Sequence, residues 1–149
     1  MHLLAVPHKQ QETEVGCLAA CAQMVLAYWG VEQSQTDLNR FLGLTSIGTP
    51  FSNIQRLRSA QISVVLEIGI EIDLRGALEN RQPIIAFLFT KDLPYWVDNT
   101  SHAVVVIGYD EMYCILNDPA FGDAPQKVPW DDFMLAWSEH DYACALVTL

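Results

Sequence analysis

The chain has 149 residues and a mass of 16.7 kDa, with 51% hydrophobic and 17% charged residues. That is the composition of one folded domain, residues 1–149, and it argues against a disordered segment. Eight Lys and Arg against 18 Asp and Glu leave a formal net charge of −10. This disfavours nucleic acid and anionic membrane surfaces, which are bound through clustered cations, and it permits a basic substrate or partner.

No uninterrupted apolar run exceeds six residues, as in Ile84–Phe89, against the roughly 20 that a membrane-spanning helix needs. The first residues lack a charged start and an apolar stretch of signal-peptide length. The expectation is a cytoplasmic protein with no membrane segment in this chain. The four cysteines, Cys17, Cys21, Cys114 and Cys144, are too sparse for a secreted disulfide scaffold. Cys17 and Cys21 are spaced C-x3-C, with no H-x3-5-H to complete a zinc site. No metal and no organic cofactor are expected.

In chain order, residues 1–16 read as an extended polar lead-in containing Pro7 and Gly16. Cys17–Trp29 is apolar on nearly every side, Gln23 being its one polar residue, and Gly30 follows. This predicts a buried helix that starts at a cysteine. Thr36-Asp37 is expected to cap a second helix reaching Leu42, closed by Gly43. Ser52–Ala60 reads as a third helix, Ser63–Glu67 as a strand, and Asp73–Leu78 as a fourth helix.

The second half is strand-rich. Ile84–Phe89, Ala103–Tyr109 and Met112–Asn117 are short β-branched or aromatic runs bounded by turn residues. Trp130–Trp137, preceded by Pro129, reads as a helix packing on the sheet, and Asp141–Leu149 as a final strand. A mainly helical half followed by a strand-rich half predicts an α+β fold with an antiparallel C-terminal sheet. The strands do not alternate cleanly between apolar and polar, so both sheet faces should be covered.

Cys17 is the candidate nucleophile. A helix N-terminus offers partial positive charge and free N–H groups that favour a thiolate. Cys21, one turn further along an apolar helix, reads as core. Of the four histidines, His102 stands apart at the head of an apolar strand. Placing Gly108 opposite Met112 across the loop Tyr109-Asp110-Glu111 sets His102 opposite Asp118 in an antiparallel hairpin. At that separation a carboxylate can orient the imidazole and stabilise its cation.

Three pieces then combine: Gln11 six residues before Cys17, S-H-A-V-V-V-I-G-Y-D at 101–110, and N-D-P-A-F-G at 117–122. Together they make the chain resemble the bacteriocin-processing cysteine peptidases, papain-like domains that cleave after double-glycine leaders. The resemblance spans essentially the whole chain. It implies a papain-like fold with Cys17 as nucleophile, His102 as base and acid, Asp118 as orienter and Gln11 as an oxyanion-hole side chain. Gly16 and Leu18 stand where exporter-attached members commonly have Asp and Gly, and the resemblance is to a stand-alone member. Tyr95 and Trp96, in the loop before His102, are candidates for the wall of a substrate cleft.

The implied function is cysteine peptidase activity on a peptide or protein substrate through an acyl-enzyme, with maturation of a leader-bearing peptide as one use. An acyl transferase or deamidase would use the same Cys-His-Asp set with a different acceptor. A third alternative is a non-catalytic module that only binds peptide.

Overall fold

The computed structural model describes residues 1–149, apart from the side chain of Ile72. The buried helix α1 (Cys17–Tyr28) begins at Cys17, and Leu18–Ala22 and Met24–Leu26 are all buried. Gly16 precedes it because a Cβ there would lie 2.5 Å from Thr13 Oγ1. Helix α2 (Gln35–Leu42) starts one residue before Thr36, since Ser34 is the cap: its Oγ accepts from Asp37 N at 3.1 Å. The third expected helix is instead a 3-10 segment, Phe51–Leu57, ending three residues early. Helix α3 (Glu71–Glu79) takes Asp73 into its first turn, where the carboxylate accepts from Ile70 N at 3.0 Å. Helix α4 spans Trp130–Ser138.

Seven strands form one antiparallel sheet: β1 (His2–Leu3), β2 (Ser63–Ile68), β3 (Ile84–Phe89), β4 (Ser101–Tyr109), β5 (Tyr113–Asn117), β6 (Gln126–Pro129) and β7 (Ala143–Thr148). The order is β2-β7-β3-β4-β5-β6, with β1 joining β4 where β3 has ended. The fold is α+β, with the buried helix α1 in the N-terminal half and most of the sheet in the C-terminal half. Two strands were not expected. β1 is two residues long, and β6 carries Lys127 and Pro129, residues that belong on a sheet edge.

Both faces of the sheet are covered. Ala103, Val105 and Ile107 of β4 pack in a cluster with α1, α2 and the 3-10 segment. Val104 and Val106 point the other way, into a cluster with Leu74 and Leu78 of α3 and Phe133, Ala136 and Trp137 of α4. The near-continuous apolar runs in β3 and β4 follow from this double burial. None of the described helices is long and apolar enough to cross a membrane.

The hairpin register departs from the expected one. Val105 pairs with Asn117 and Val106 with Leu116, then an irregularity at Ile107 shifts the pairing to Gly108 with Ile115. Gly108 therefore does not oppose Met112. The turn is longer because Asp110 Oδ1 accepts from the backbone N of both Met112 and Tyr113, at 2.9 and 2.8 Å. The 105–117 pairing, continued by one step, sets Asp118 across from Val104. His102 is then its diagonal neighbour. The slip is two residues, an even number, so both side chains keep the same face of the sheet.

Gly108 makes room for β1. A Cβ there would sit 2.3 Å from His2 O and 3.0 Å from Leu3 Cα. Gly108→Ala must push β1 off the sheet, at about 1–3 kcal/mol, and should lower Tm by several degrees. Gly76→Ala is the contrast. A Cβ at Gly76, inside α3, meets nothing within 4 Å, so helix propensity alone should raise stability by up to about 1 kcal/mol. Thermal melts of both variants check this; equal melting temperatures would mean that β1 contributes nothing.

Candidate active site

The first residues of β4 and the first residue of α1 meet at one end of the sheet. His102 is buried, 3% exposed, and its Nε2–H donates to Asp118 Oδ1 at 2.6 Å. A carboxylate can only accept, so this bond fixes the proton on Nε2 and leaves Nδ1 free. Cys17 lines the same cleft as His102, near enough for each to shift the other's proton affinity, and Nδ1 is the ring nitrogen left to face the thiol. The structure thus brings Cys17, His102 and Asp118 into one chain of contacts.

Asp118 is fully buried and its two oxygens are shared among four donors. Oδ1 takes His102 Nε2 and the backbone N of Ala120 at 2.9 Å. Oδ2 takes the Tyr95 hydroxyl at 2.7 Å and Trp96 Nε1 at 2.8 Å. The Ala120 bond is the local turn that an Asp before Pro119 favours. Trp96 also lies edge-on to the His102 ring, with centroids 4.8 Å apart, and both Tyr95 and Trp96 pack on Phe121. His8, from the lead-in, donates Nε2–H to Phe121 O at 2.7 Å and ties this loop down.

The charge states follow from these contacts. Burial pushes the Cys17 thiol up, but the hydrogen bond and charge of His102, with backbone N–H groups of Ala103 and Leu18, bring it below the usual thiol value. Burial pushes His102 down, and the bonds to Asp118 and Cys17 outweigh it and raise the imidazole to about 9. Burial pushes Asp118 up, yet the bonds from His102, Trp96 and Ala120 hold it below the usual carboxylate range. All three shifts run in the direction that favours a thiolate beside an imidazolium braced by a carboxylate. Burial and the Asp118 charge keep the Tyr95 hydroxyl protonated, a permanent donor. The other cysteines go the opposite way. Burial raises Cys21 and Cys114 well above an ordinary thiol and Cys144 to about 12.

A cleft of about 400 Å³ opens on Cys17 and His102, with Gln11, Glu14, Ile47, Phe87, Trp96 and Asp98 among its lining. Gln11 therefore lies in the same cleft as Cys17. Its Nε2 donates to Thr13 O at 3.0 Å and Glu14 O at 2.9 Å, and its Oε1 is buried without a partner. Trp96 lines the cleft, whereas Tyr95 is not among the lining residues and turns its hydroxyl to Asp118 behind it. Sequence reasoning placed Tyr95 and Trp96 near the site but missed that both are donors to Asp118. Their O–H and N–H groups were the available signal, since buried Tyr and Trp need acceptors.

The profile of the Peptidase_C39 like family matches residues 3–145. No curated protein matches the chain in sequence. Among solved structures, one from Bacillus anthracis described as a C39-like peptidase has a TM-score of 0.75 at 20% identity, covering 99% of this chain and 97% of that one. A double glycine motif protease from an AMS/PCAT transporter, in complex with its leader peptide, gives 0.75 at 21% identity, covering 97% and 92%. The peptidase domain of Streptococcus ComA, a bi-functional ABC transporter involved in a quorum sensing pathway, gives 0.76 at 15% identity, covering 99% and 98%. These likenesses establish the papain-like fold, and the profile match over nearly the whole length establishes that the chain belongs to the Peptidase_C39 like family.

Proposed function

We propose that residues 1–149 form a cysteine peptidase domain that cleaves a peptide bond with Cys17, His102 and Asp118. The observation that carries this reading is the contrast among the cysteines. Cys17 alone is drawn below its ordinary pKa, by a histidine whose other nitrogen is held by a buried carboxylate. The Cys17 thiolate attacks the scissile carbonyl carbon, whose π electrons move to its oxygen. The oxyanion takes the Cys17 backbone N–H and the Gln11 side chain, which exchanges one of its bonds to Thr13 O or Glu14 O for it. Collapse of this intermediate breaks the C–N bond as the His102 cation gives its proton to the leaving amine. Neutral His102 then takes a proton from water, which attacks the thioester and releases the acid and the Cys17 thiolate.

The substrate is a peptide, the reading favoured by likeness to a protease solved with its leader peptide bound. A leader-bearing precursor is the class this likeness supports. The cleft lining includes two carboxylates, Glu14 and Asp98, and no Lys or Arg, so a segment with a basic residue should bind better than its acidic counterpart. The four free cysteines suit a reducing compartment such as the cytoplasm.

Under limiting iodoacetamide at neutral pH, Cys17 should be modified first; peptide mapping that finds Cys21, Cys114 or Cys144 labelled as fast would contradict the assignment. The pH profile of kcat/KM should be bell-shaped. Its acid limb, where the thiolate is protonated, lies below the ordinary thiol range, and its alkaline limb, where His102 loses its proton, lies at about 9. Asp118→Asn keeps an acceptor for the Nε2–H but removes the charge, so the alkaline limb should move to lower pH. Asp118→Ala also frees the ring to rotate, and should cost about 10²-fold in kcat, more than Asp118→Asn. An unchanged profile in both variants would remove Asp118 from the reaction. Matched peptides with Lys or Glu near the scissile bond should differ by about 3–10-fold in kcat/KM at low salt, less at high salt.

A further inference from the structure

We propose that Gln35 is a positioning residue for Gln11, setting the place of the oxyanion side chain relative to Cys17. This rests on the reading of Gln11 as an oxyanion donor. Gln35 is the first residue of α2 and is only 2% exposed, an unusual depth for a glutamine. Its amide is saturated by groups from two other segments. Nε2 donates to Gln10 O and to Gln23 Oε1, both at 2.9 Å, and Oε1 accepts from Glu12 N at 2.9 Å.

The two backbone groups it holds are those on either side of Gln11. The Gln11 backbone N donates in turn to Pro119 O at 2.7 Å, next to Asp118. The segment carrying Gln11 is therefore held at three consecutive residues, by α2 on one side and by the Asp118 loop on the other. Gln23, the one polar residue of α1, closes the connection. It receives the Gln35 proton on Oε1 and donates its own Nε2–H to Gln33 O at 3.0 Å. Through Gln23 the lead-in is referenced to the same helix that carries Cys17 at its start. The segment around Gln11 belongs to no helix or strand, so no regular ladder fixes its register, and a side chain one ångström out of place loses most of its value to an oxyanion.

A buried glutamine here could equally serve stability alone. A double-mutant cycle separates the two roles. Gln35→Met keeps the volume and removes all three bonds; Gln35→Glu keeps the acceptor for Glu12 N and, held neutral by burial beside two carbonyl oxygens, can donate one bond but not both. Single-turnover kinetics with one peptide substrate would be measured for each in the parent and in the Gln11→Ala background, beside a thermal melt and the rate of Cys17 alkylation by iodoacetamide. We expect Gln35→Met to lower kcat by about 10–10²-fold with KM nearly unchanged, and Gln35→Glu to lose less. Alkylation of Cys17, which forms no oxyanion, should not slow. In the Gln11→Ala background either Gln35 change should add little further loss, because the side chain it positions is already gone. If Gln35→Met is too unstable to assay, the Gln35→Glu cycle decides. The same fold-loss in both backgrounds, or no loss in the parent, overturns the proposal while leaving Gln11 in the reaction. If Gln11→Ala itself costs nothing, the reading of Gln11 fails, and the role of Gln35 through it falls as well.

Discussion

The site depends on one bond, the 2.6 Å contact between a buried imidazole and a buried carboxylate. A carboxylate out of water is strongly destabilising unless its lone pairs are occupied. Asp118 meets this condition with four donors, each from a different residue: His102, Ala120, Tyr95 and Trp96. Three of them do nothing for the thiol directly. They keep Asp118 ionised where it stands, and that charge is what holds a proton on His102. The charged imidazole in turn is what lets Cys17 exist as a thiolate in spite of its own burial. Removing the carboxylate would reverse the order of effects, and desolvation would favour the neutral forms of both Cys17 and His102.

The rest of the architecture serves to place these groups. The double-sided sheet buries β4 from His102 onward, and Ala103 and Val104 beside it are fixed by contacts on opposite faces. Thr90 closes the loop that brings Tyr95 and Trp96 over Asp118. Its hydroxyl donates to Asp98 O at 2.6 Å and accepts from Thr100 N at 2.9 Å. α1 has no side-chain cap, and the Leu18 N–H at its start helps to ionise the thiol. Tertiary burial, rather than local propensity, sets the positions of Cys17, His102 and Asp118.

Most of this was legible in the sequence for reasons that can be named. Cys17–Tyr28 reads as a buried helix because almost nothing in it is polar, and β3, β4 and β5 read as strands because β-branched or aromatic runs end at turn residues. The pairing of His102 with Asp118 emerged from a hairpin register that is wrong by two residues. It survived because strands alternate with period two, so an even slip keeps the face. An error of one residue would have pointed the two groups to opposite sides. What stayed illegible has its cause in partners distant in sequence. β1 and β6 are too short and too polar to signal themselves, and Ser34 caps α2 through a hydroxyl no different from its neighbours. The hold of Gln35 on Gln10 and Glu12 spans more than 20 residues and has no periodic trace.

The central claim is that Cys17 rests as a thiolate paired with a protonated His102. The ultraviolet absorbance of the thiolate, followed against pH and referenced to Cys17→Ala, measures this directly. The account predicts a thiolate signal that persists below the ordinary thiol pKa of about 8.5 and that moves upward in His102→Ala, where only the backbone N–H groups of Ala103 and Leu18 still oppose burial. A Cys17 that titrates at or above the ordinary value in the parent protein, unmoved by loss of His102, would contradict it.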